Sequence, residues 1–420
     1  MNTYQIQDNW SYVHGKSQWK AGVNFTYQKS PNVFLPNFNG SFNFAAIPTT
    51  NTTTVVTPDC TIAPGENLSP FSAFACNAPT NINVSDGNPK IDFSEKDTFL
   101  YVQNDYKLRP NLTLNLGLTW SYYGQPANLF HDETVASAKS ANPLWNPALA
   151  LSVTTFPSIP APKNSWGPSV GFAWSPSMDN FLTGGNGKTV IRGGYRLSYD
   201  PPVYNIYTNI ATSAPVLLAQ SLGLLVDPMT NEIANPLPAV PVGGAVRTLL
   251  APSLVTGVAD PRSFNETTLS PNFGPDHVHS WSLGIQRQLS NATAVEARYV
   301  GNHGGNLFQS INANPFIADT AAEFPSFLPP NAVPCPAADA VVENSIGRIH
   351  CNEGILRERT NTGYSSYNGL QVQFRATNLY KQLTMTANYT WSKTTDNVSE
   401  IFSTLGGGNT ICLLYTSRCV

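Results

Sequence analysis

Residues 96–124 read KDTFLYVQNDYKLRPNLTLNLGLTWSYYG, and the second half of this stretch alternates without interruption. Leu112, Leu114, Leu116, Leu118, Trp120 and Tyr122 share one parity; Thr113, Asn115, Gly117, Thr119 and Ser121 share the other. Successive side chains of a β-strand point to opposite faces, so the pattern describes one apolar face and one small, polar face. The run exceeds the five or six residues typical of soluble strands. It suits a tilted strand crossing a bilayer, which takes roughly nine to eleven. Residues 98–109 form a weaker strand with Leu100, Val102, Tyr106 and Leu108 in phase, joined to the first by a turn at Pro110-Asn111. The stretch is a β-hairpin, and the rest of the chain repeats it.

Four further hairpins follow the same rule. Tyr4, Ile6, Trp10 and Tyr12 turn at His14-Gly15-Lys16 into Trp19, Ala21, Val23, Phe25 and Tyr27, with Asp8 the one charge on the apolar face. Residues 166–174 pair with 190–199, and residues 281–289 turn at Ser290-Asn291 into 295–299. Leu370, Val372, Phe374 and Ala376 turn near Asn378-Leu379-Tyr380 into Leu383, Met385, Ala387, Tyr389 and Trp391. Gln371, Gln373, Thr384 and Thr386 occupy the polar face there. The intervening stretches, about 29–95, 125–163, 200–276 and 302–364, show no period and read as irregular loops.

Short turns and long connections therefore alternate strictly, which puts them at opposite ends of an antiparallel meander. Long structureless loops are rare in compact soluble domains, whereas short turns at one end and long loops at the other mark outer-membrane barrels. Aromatic residues gather at the long-loop end: Tyr27, Trp120, Tyr122, Trp166, Tyr195, Tyr199, Trp281, Tyr299, Tyr367, Tyr389 and Trp391, together with Tyr101, which is out of phase with Leu100 and Val102. That is a girdle at one interface. A soluble β-sandwich or propeller is the competing architecture, since its strands also alternate.

Composition agrees with the membrane reading. Of 420 residues, 12% are charged, against about 25% in an average soluble protein. Lys+Arg 23 against Asp+Glu 26 leaves a net charge of −3, with no basic field to hold nucleic acid. Thirty-four Pro and 30 Gly favour turns over long helices. The longest apolar stretch, residues 214–226, is interrupted by Gln220 and Ser221 and too short to span as a helix. No leader precedes the first strand, which reads as a missing N-terminus. Residues 406–420 follow no earlier pattern and are left unassigned, with residues 1–405 forming the barrel portion.

Little in the chain suggests catalysis, and the chain reads as a non-enzyme without cofactor. Gly184-Gly185-Asn186-Gly187-Lys188-Thr189 resembles a phosphate loop only in part, because Leu182 stands where the first glycine is required; a glycine-rich turn is the plainer reading. His277 and His279 share a strand face, but no third ligand has a readable spacing, so strand-entry histidines are favoured over a metal pair. Arg192, Arg196, Arg298 and Arg375 fall on the polar faces. They read as lumen-facing groups, either lining a route for an anionic ligand or pairing with neighbouring carboxylates.

The segments NDYKLRPNLTLNLGLTWSYY, GKTVIRGGYRLSYD, SWSLGIQRQLSNATAVEARYVGNHG and YNGLQVQFRATNLYKQLTMTANYTWSKTTDN resemble barrel segments of TonB-dependent outer-membrane receptors of the Oar-like branch. The resemblance covers the strands from about residue 4 to 396 and little of the loops. It implies a 22-stranded barrel with an N-terminal plug and a TonB-contacting box, and in many members a carboxypeptidase-regulatory-like domain. None of those N-terminal parts is recognisable here. The expectation is thus all-β: a partial antiparallel transmembrane barrel of about ten strands, with long extracellular loops, in the bacterial outer membrane. Its partners would be outer-membrane lipid, the TonB system through the missing N-terminal part, and an unknown ligand taken up with energy. A passive porin or adhesion barrel, and a secreted soluble β-rich binding protein, are the alternatives. Cys60 and Cys76, and Cys335 and Cys351, each lie sixteen positions apart in one long loop. An oxidising compartment favours disulfides there. Cys412 and Cys419 receive no role.

Overall fold

The structure, a computed structural model, describes residues 1–33, 37, 40–46, 55–56, 60–63, 69–76, 79–88, 90–178, 180, 183–185, 187–202, 204–223, 256–323, 328–379 and 382–397. Leu182, Asn186, Tyr380, Cys412, Cys419 and the rest of residues 406–420 lie outside them.

Ten long strands form one antiparallel meander. They are β1 (Asn2–His14), β2 (Ser17–Val33), β3 (Lys90–Arg109), β4 (Leu112–Tyr122) and β5 (Ser165–Trp174). The series continues with β6 (Thr189–Asp200), β7 (Asp276–Ser290), β8 (Thr293–Asn312), β9 (Leu356–Leu379) and β10 (Leu383–Asp396). Sequence neighbours are spatial neighbours throughout. Among the described residues β1 pairs only with β2 and β10 only with β9, so the sheet is open at both edges. A short segment, Glu266–Leu269, adds in parallel to the start of β9.

The alternation predicts the faces. Leu116, Leu118, Val170, Leu283 and Ile285 stand exposed on one side, Leu116 with half its surface accessible. No second layer of described residues covers them. In water such a face would be strongly unfavourable; in lipid it is the expected exterior. No helix among the described residues is long and apolar enough to cross a membrane, and residues 217–223 of the longest apolar stretch are a short strand. The turns obey local chemistry as well: Gly15, Gly184, Gly185 and Gly187 adopt positive φ, a conformation open to glycine at little cost.

The expectation of irregular loops is corrected. Pairing persists beyond the membrane part of β2, β3, β8 and β9 because ladder hydrogen bonds do not require an apolar face. The long connections also fold on one another. Ile91 and Phe93 of β3 pack with Phe130, Phe156, Ile159, Tyr207, Ile210 and Phe273 in a buried cluster. Helical segments Asn128–Ala138 and Tyr204–Ile210 contribute to it. Phe93 meets the Phe130 ring edge-on at 5.5 Å. A second cluster joins Ile82, Val84 and Leu218, from a three-stranded sheet of Ser41–Asn43, Asn81–Gly87 and Leu217–Gly223, with Trp145 and Ala214. The principal described core is therefore in the loop layer, not on the sheet.

The parity of β3 shows where that layer lies. Its pairing with β2 runs unbroken from Lys90 to Tyr106, so Ile91, Phe93 and Glu95 share a face with Tyr101 and Gln103. That face is the polar one. Apolar residues thus change sides within one strand, outward at Leu100 and Val102 and inward at Ile91 and Phe93, and the loop core sits over the end of the polar face.

Candidate functional site

The polar face is organised in level rows by the strand registers. Lys107, Thr113, Ala173, Arg192, Gly284, Arg298, Gln371 and Thr390 are successive cross-strand partners from β3 to β10. Another row runs from Ser169 through Arg196, Ser280, Asn302 and Tyr367 to Thr394. Arg375 lies between Ala294 and Thr386 on the same face. All four arginines singled out in the sequence thus stand on the polar side, but they do not form one cluster.

Arg192 and Arg298 come together around a cavity of about 310 Å³, also lined by Ser282, Gln286 and Glu296. Gly284 lies between them in the register. Arg298 pairs with Glu296 two residues earlier on β8. Parity puts Glu296 on the same face as Arg298, and it is one of the neighbouring carboxylates with which the polar-face arginines were expected to pair. At the opposite side of the sheet Asp105 accepts from Asn115 Nδ2 (2.7 Å), Gln103 Nε2 (3.0 Å) and Lys20 Nζ (3.2 Å). These groups offer hydrogen bonds and mixed charge to a hydrated solute.

Tyr101 is corrected from the girdle to this face. Its hydroxyl bonds Asn9, and its ring lies over Gly22. Tyr367 is corrected likewise, since it stands in the polar-face row with Arg196, Ser280 and Asn302. The other aromatics keep the parity of the belt, where Trp120 contacts Trp166 and Tyr122 at 6.2 and 6.3 Å between ring centroids.

The loop layer above is closely tied. Asn128 exchanges two hydrogen bonds of 2.9 Å with the Ile159 backbone. Buried Asn314 donates to the carbonyl oxygens of His350, Glu353 and Gly354. Arg348 donates to the Asn344 and Asn314 carbonyls and lies 3.9 Å from the Phe316 ring centroid. Cys335 is bonded to Cys351 and Cys60 to Cys76, with Cα atoms 5.3 and 5.2 Å apart. Burial, and then the neighbouring Glu353, pushes the Glu266 carboxyl up to about 8. Burial likewise pushes Glu133 up to about 7.

His277 and His279 acquire a neighbour that spacing along the chain did not reveal: His303, the cross-strand partner of His279. The hairpin register around the β7–β8 turn was the available signal. Among the described residues no group of three or more His, Cys, Asp or Glu is placed to hold a metal.

A family model described as an outer membrane beta barrel domain matches residues 1–417. No curated protein matches the sequence. Solved structures with a similar chain path include the outer membrane transporter YddB from Escherichia coli, at 11% identity and a TM-score of 0.45, covering 94% of this chain and 34% of that one. The FrpB iron transporter from Neisseria meningitidis aligns at 12% identity and a TM-score of 0.42, over 96% and 38% of the respective chains. The siderophore receptor PirA from Pseudomonas aeruginosa aligns at 10% and 0.39, over 94% and 43%. The chain thus spans well under half the length of each.

Proposed function

We propose, on the premise that this chain belongs to the outer membrane beta barrel domain family, that it supplies wall and loops to a receptor importing a large or scarce ligand. The domain resides in the bacterial outer membrane, with its antiparallel strands crossing the bilayer. The observation that carries the receptor reading is the packed loop layer over the end of the polar face. A passive pore needs an open mouth, whereas a capture surface needs loops ordered enough to hold a ligand. Such order is supported by the buried cluster around Phe93, Phe130 and Tyr207. Below it, Arg192 and Arg298 would hand an anionic or polar ligand along the lumen.

The energy source in this reading is the TonB system, as the resemblance of the hairpins implies. Transport is proposed for the whole protein: among the described residues β1 and β10 each leave one edge unpaired, which lipid does not satisfy. The test is uptake by cells carrying the complete reading frame, with and without a functional TonB system. Uptake lost on uncoupling is the expected result; undiminished uptake would leave a passive barrel instead. Partition into water rather than detergent would favour a soluble β-protein and sink both.

A further inference from the structure

Asp8 is the one charge on the apolar face of β1, and the structure sets it well inside that face. Its cross-strand partner is Val23, and the same row continues through Leu100 to Trp120. Ile6 and Trp10, its neighbours on the same side of β1, leave 72% and 54% of their surfaces accessible. Aromatic residues close the band at both ends of this hairpin. Tyr4 stacks on Tyr27 at 6.2 Å between ring centroids, and Tyr12 is the partner of Trp19 beside the Gly15 turn. Asp8 lies four residues from Tyr4 and four from Tyr12, about 13 Å along the strand from each at about 3.3 Å per residue. It stands midway between the two aromatic ends.

Nothing among the described residues neutralises it. One carboxylate oxygen accepts the adjacent Asn9 backbone N–H at 2.8 Å, a bond that leaves the charge in place. The ion pairs among the described residues join Lys20 to Asp105, Arg262 to Asp260 and Arg298 to Glu296; none reaches Asp8. A carboxylate at this depth on the outward face is costly in hydrocarbon unless a cation meets it. Strand β2 fills one side of β1 and offers only Val23 there. The other edge of β1 is open among the described residues, and it is the side from which a cation can come.

Two occupants of that edge do not supply one. A second copy, pairing its own β1 antiparallel about Asp8, would set carboxylate against carboxylate, which is destabilising. The chain's own β10, with Trp391 brought level with Tyr4, would set Ala387 against Asp8 and its outward cation, Lys393, against Asn2.

We propose that the open edge of β1 receives a further strand of the same barrel wall, and that this strand carries a lysine or arginine against Asp8 on the lipid side. Side chains directly opposite on antiparallel strands stand about 5 Å apart at Cβ, within reach of a charge-assisted bond between ammonium or guanidinium and carboxylate. A slip of one residue would turn the cation to the lumen and leave Asp8 bare in lipid, so the ion pair selects the register of the joint. The proposal rests on the outward orientation of the apolar face and does not depend on transport.

The test uses the 420-residue chain folded in neutral detergent micelles and synthetic strands of about eleven residues, the length that crosses a bilayer. They alternate leucine and threonine, and the central outward residue is lysine, norleucine or glutamate. Strand retained per protein is measured by native mass spectrometry. Carbodiimide, which joins a carboxylate directly to an amine, followed by peptide mapping, locates the lysine. The lysine strand should be retained at least fivefold over the norleucine strand and should couple to Asp8; the glutamate strand should be retained least. Asp8→Asn should bring the lysine and norleucine strands to equal retention. The β10 edge, whose outward positions carry no carboxylate, contributes the same background to every arm. Equal retention of the lysine and norleucine strands by the unaltered protein overturns the proposal without reference to any variant. So does coupling of the lysine strand to Asp97 or Asp105 in place of Asp8, which would put the cation on the polar side. Cross-linking of β1 to β1 between copies would give the edge to a dimer and overturn it as well. Nitroxides at Ile6→Cys and Gln7→Cys test the premise separately: in bilayers the label at position 6 should be the more accessible to oxygen. The reverse order would overturn the orientation itself, and the ion pair with it.

Discussion

Tyr101 Oη donates a 2.8 Å hydrogen bond to Asn9 Oδ1 across the whole width of β2, joining two strands that are not neighbours. The ring crosses above Gly22, the residue between them in the register. A Cβ at Gly22 would lie 2.5 Å from the Tyr101 ring and 2.9 Å from the Asp8 carbonyl oxygen. Gly22→Val should therefore cost about 1–3 kcal/mol through overpacking. Tyr101→Phe should cost about 0.5–1.5 kcal/mol, the range of one net hydrogen bond. Urea midpoints of the detergent-folded protein check both.

The two faces of the sheet should respond differently to charge. Leu116→Arg puts a cation on the exposed apolar side and should destabilise insertion by about 2–4 kcal/mol if it lies near the bilayer midplane. Gln373→Arg, on the polar side of β9, should be nearly neutral. Folded fraction in bilayers after urea titration distinguishes them, and equal effects would contradict the assignment of faces.

Acidity should tighten the loop layer. Glu266 is held at about 8 in the folded protein against an ordinary 4.5, and burial also raises Glu353 beside it. A carboxyl whose folded value is raised binds more protons when folded, so its full stabilising effect is present below about 4.5 and is lost as pH climbs through about 8. Glu133, raised to about 7, acts in the same sense. Intrinsic-rate-corrected hydrogen exchange at residues 260–270 should be slower at pH 5 than at pH 9. Glu266→Gln should flatten most of that difference.

Oxidation should matter in the loops and not in the sheet. Non-reducing peptide mapping is expected to recover Cys335 linked to Cys351, and Cys60 linked to Cys76. Replacing Cys335 and Cys351 together by serine should lower the stability of that loop by about 3 kcal/mol, the chain-entropy value for a loop of this size. The strand registers should be unchanged. Free thiols in material from an oxidising compartment would count against the pairing.

The lumen arginines give a transport prediction. Arg192→Gln should slow uptake of an anionic ligand several-fold while leaving a neutral one unaffected. Arg298→Gln also strands Glu296, its ion-pair partner, so it should impair the anion more than Arg192→Gln does. Identical uptake by both variants and the unaltered receptor would remove these groups from the route.

The membrane part of this fold was legible because lipid imposes a period of two on the sequence, as at Leu112–Leu118. The loop layer was not. Phe130 and Phe156 come from one connection, Phe273 from another and Phe308 from the far end of β8, and no local period announces a contact made only after folding. Tyr101 was misread for a related reason: an aromatic near a belt is ordinary, and its partner Asn9 is identified by register rather than by neighbourhood. The place of the four arginines on the polar face followed from parity alone, whereas the contact of Arg298 with Glu296 required the side-chain path.

The reversal of apolar residues along β3 also bears on how the sheet reaches its alignment. A slip of one residue against β2 exchanges the two sides of a strand. It would carry Leu100 and Val102 into the lumen and, in the same movement, lift Ile91 and Phe93 out of the loop core. The two losses occur in different solvents, one in lipid and one in water, and neither can offset the other. Strand β3 thereby proofreads its own pairing.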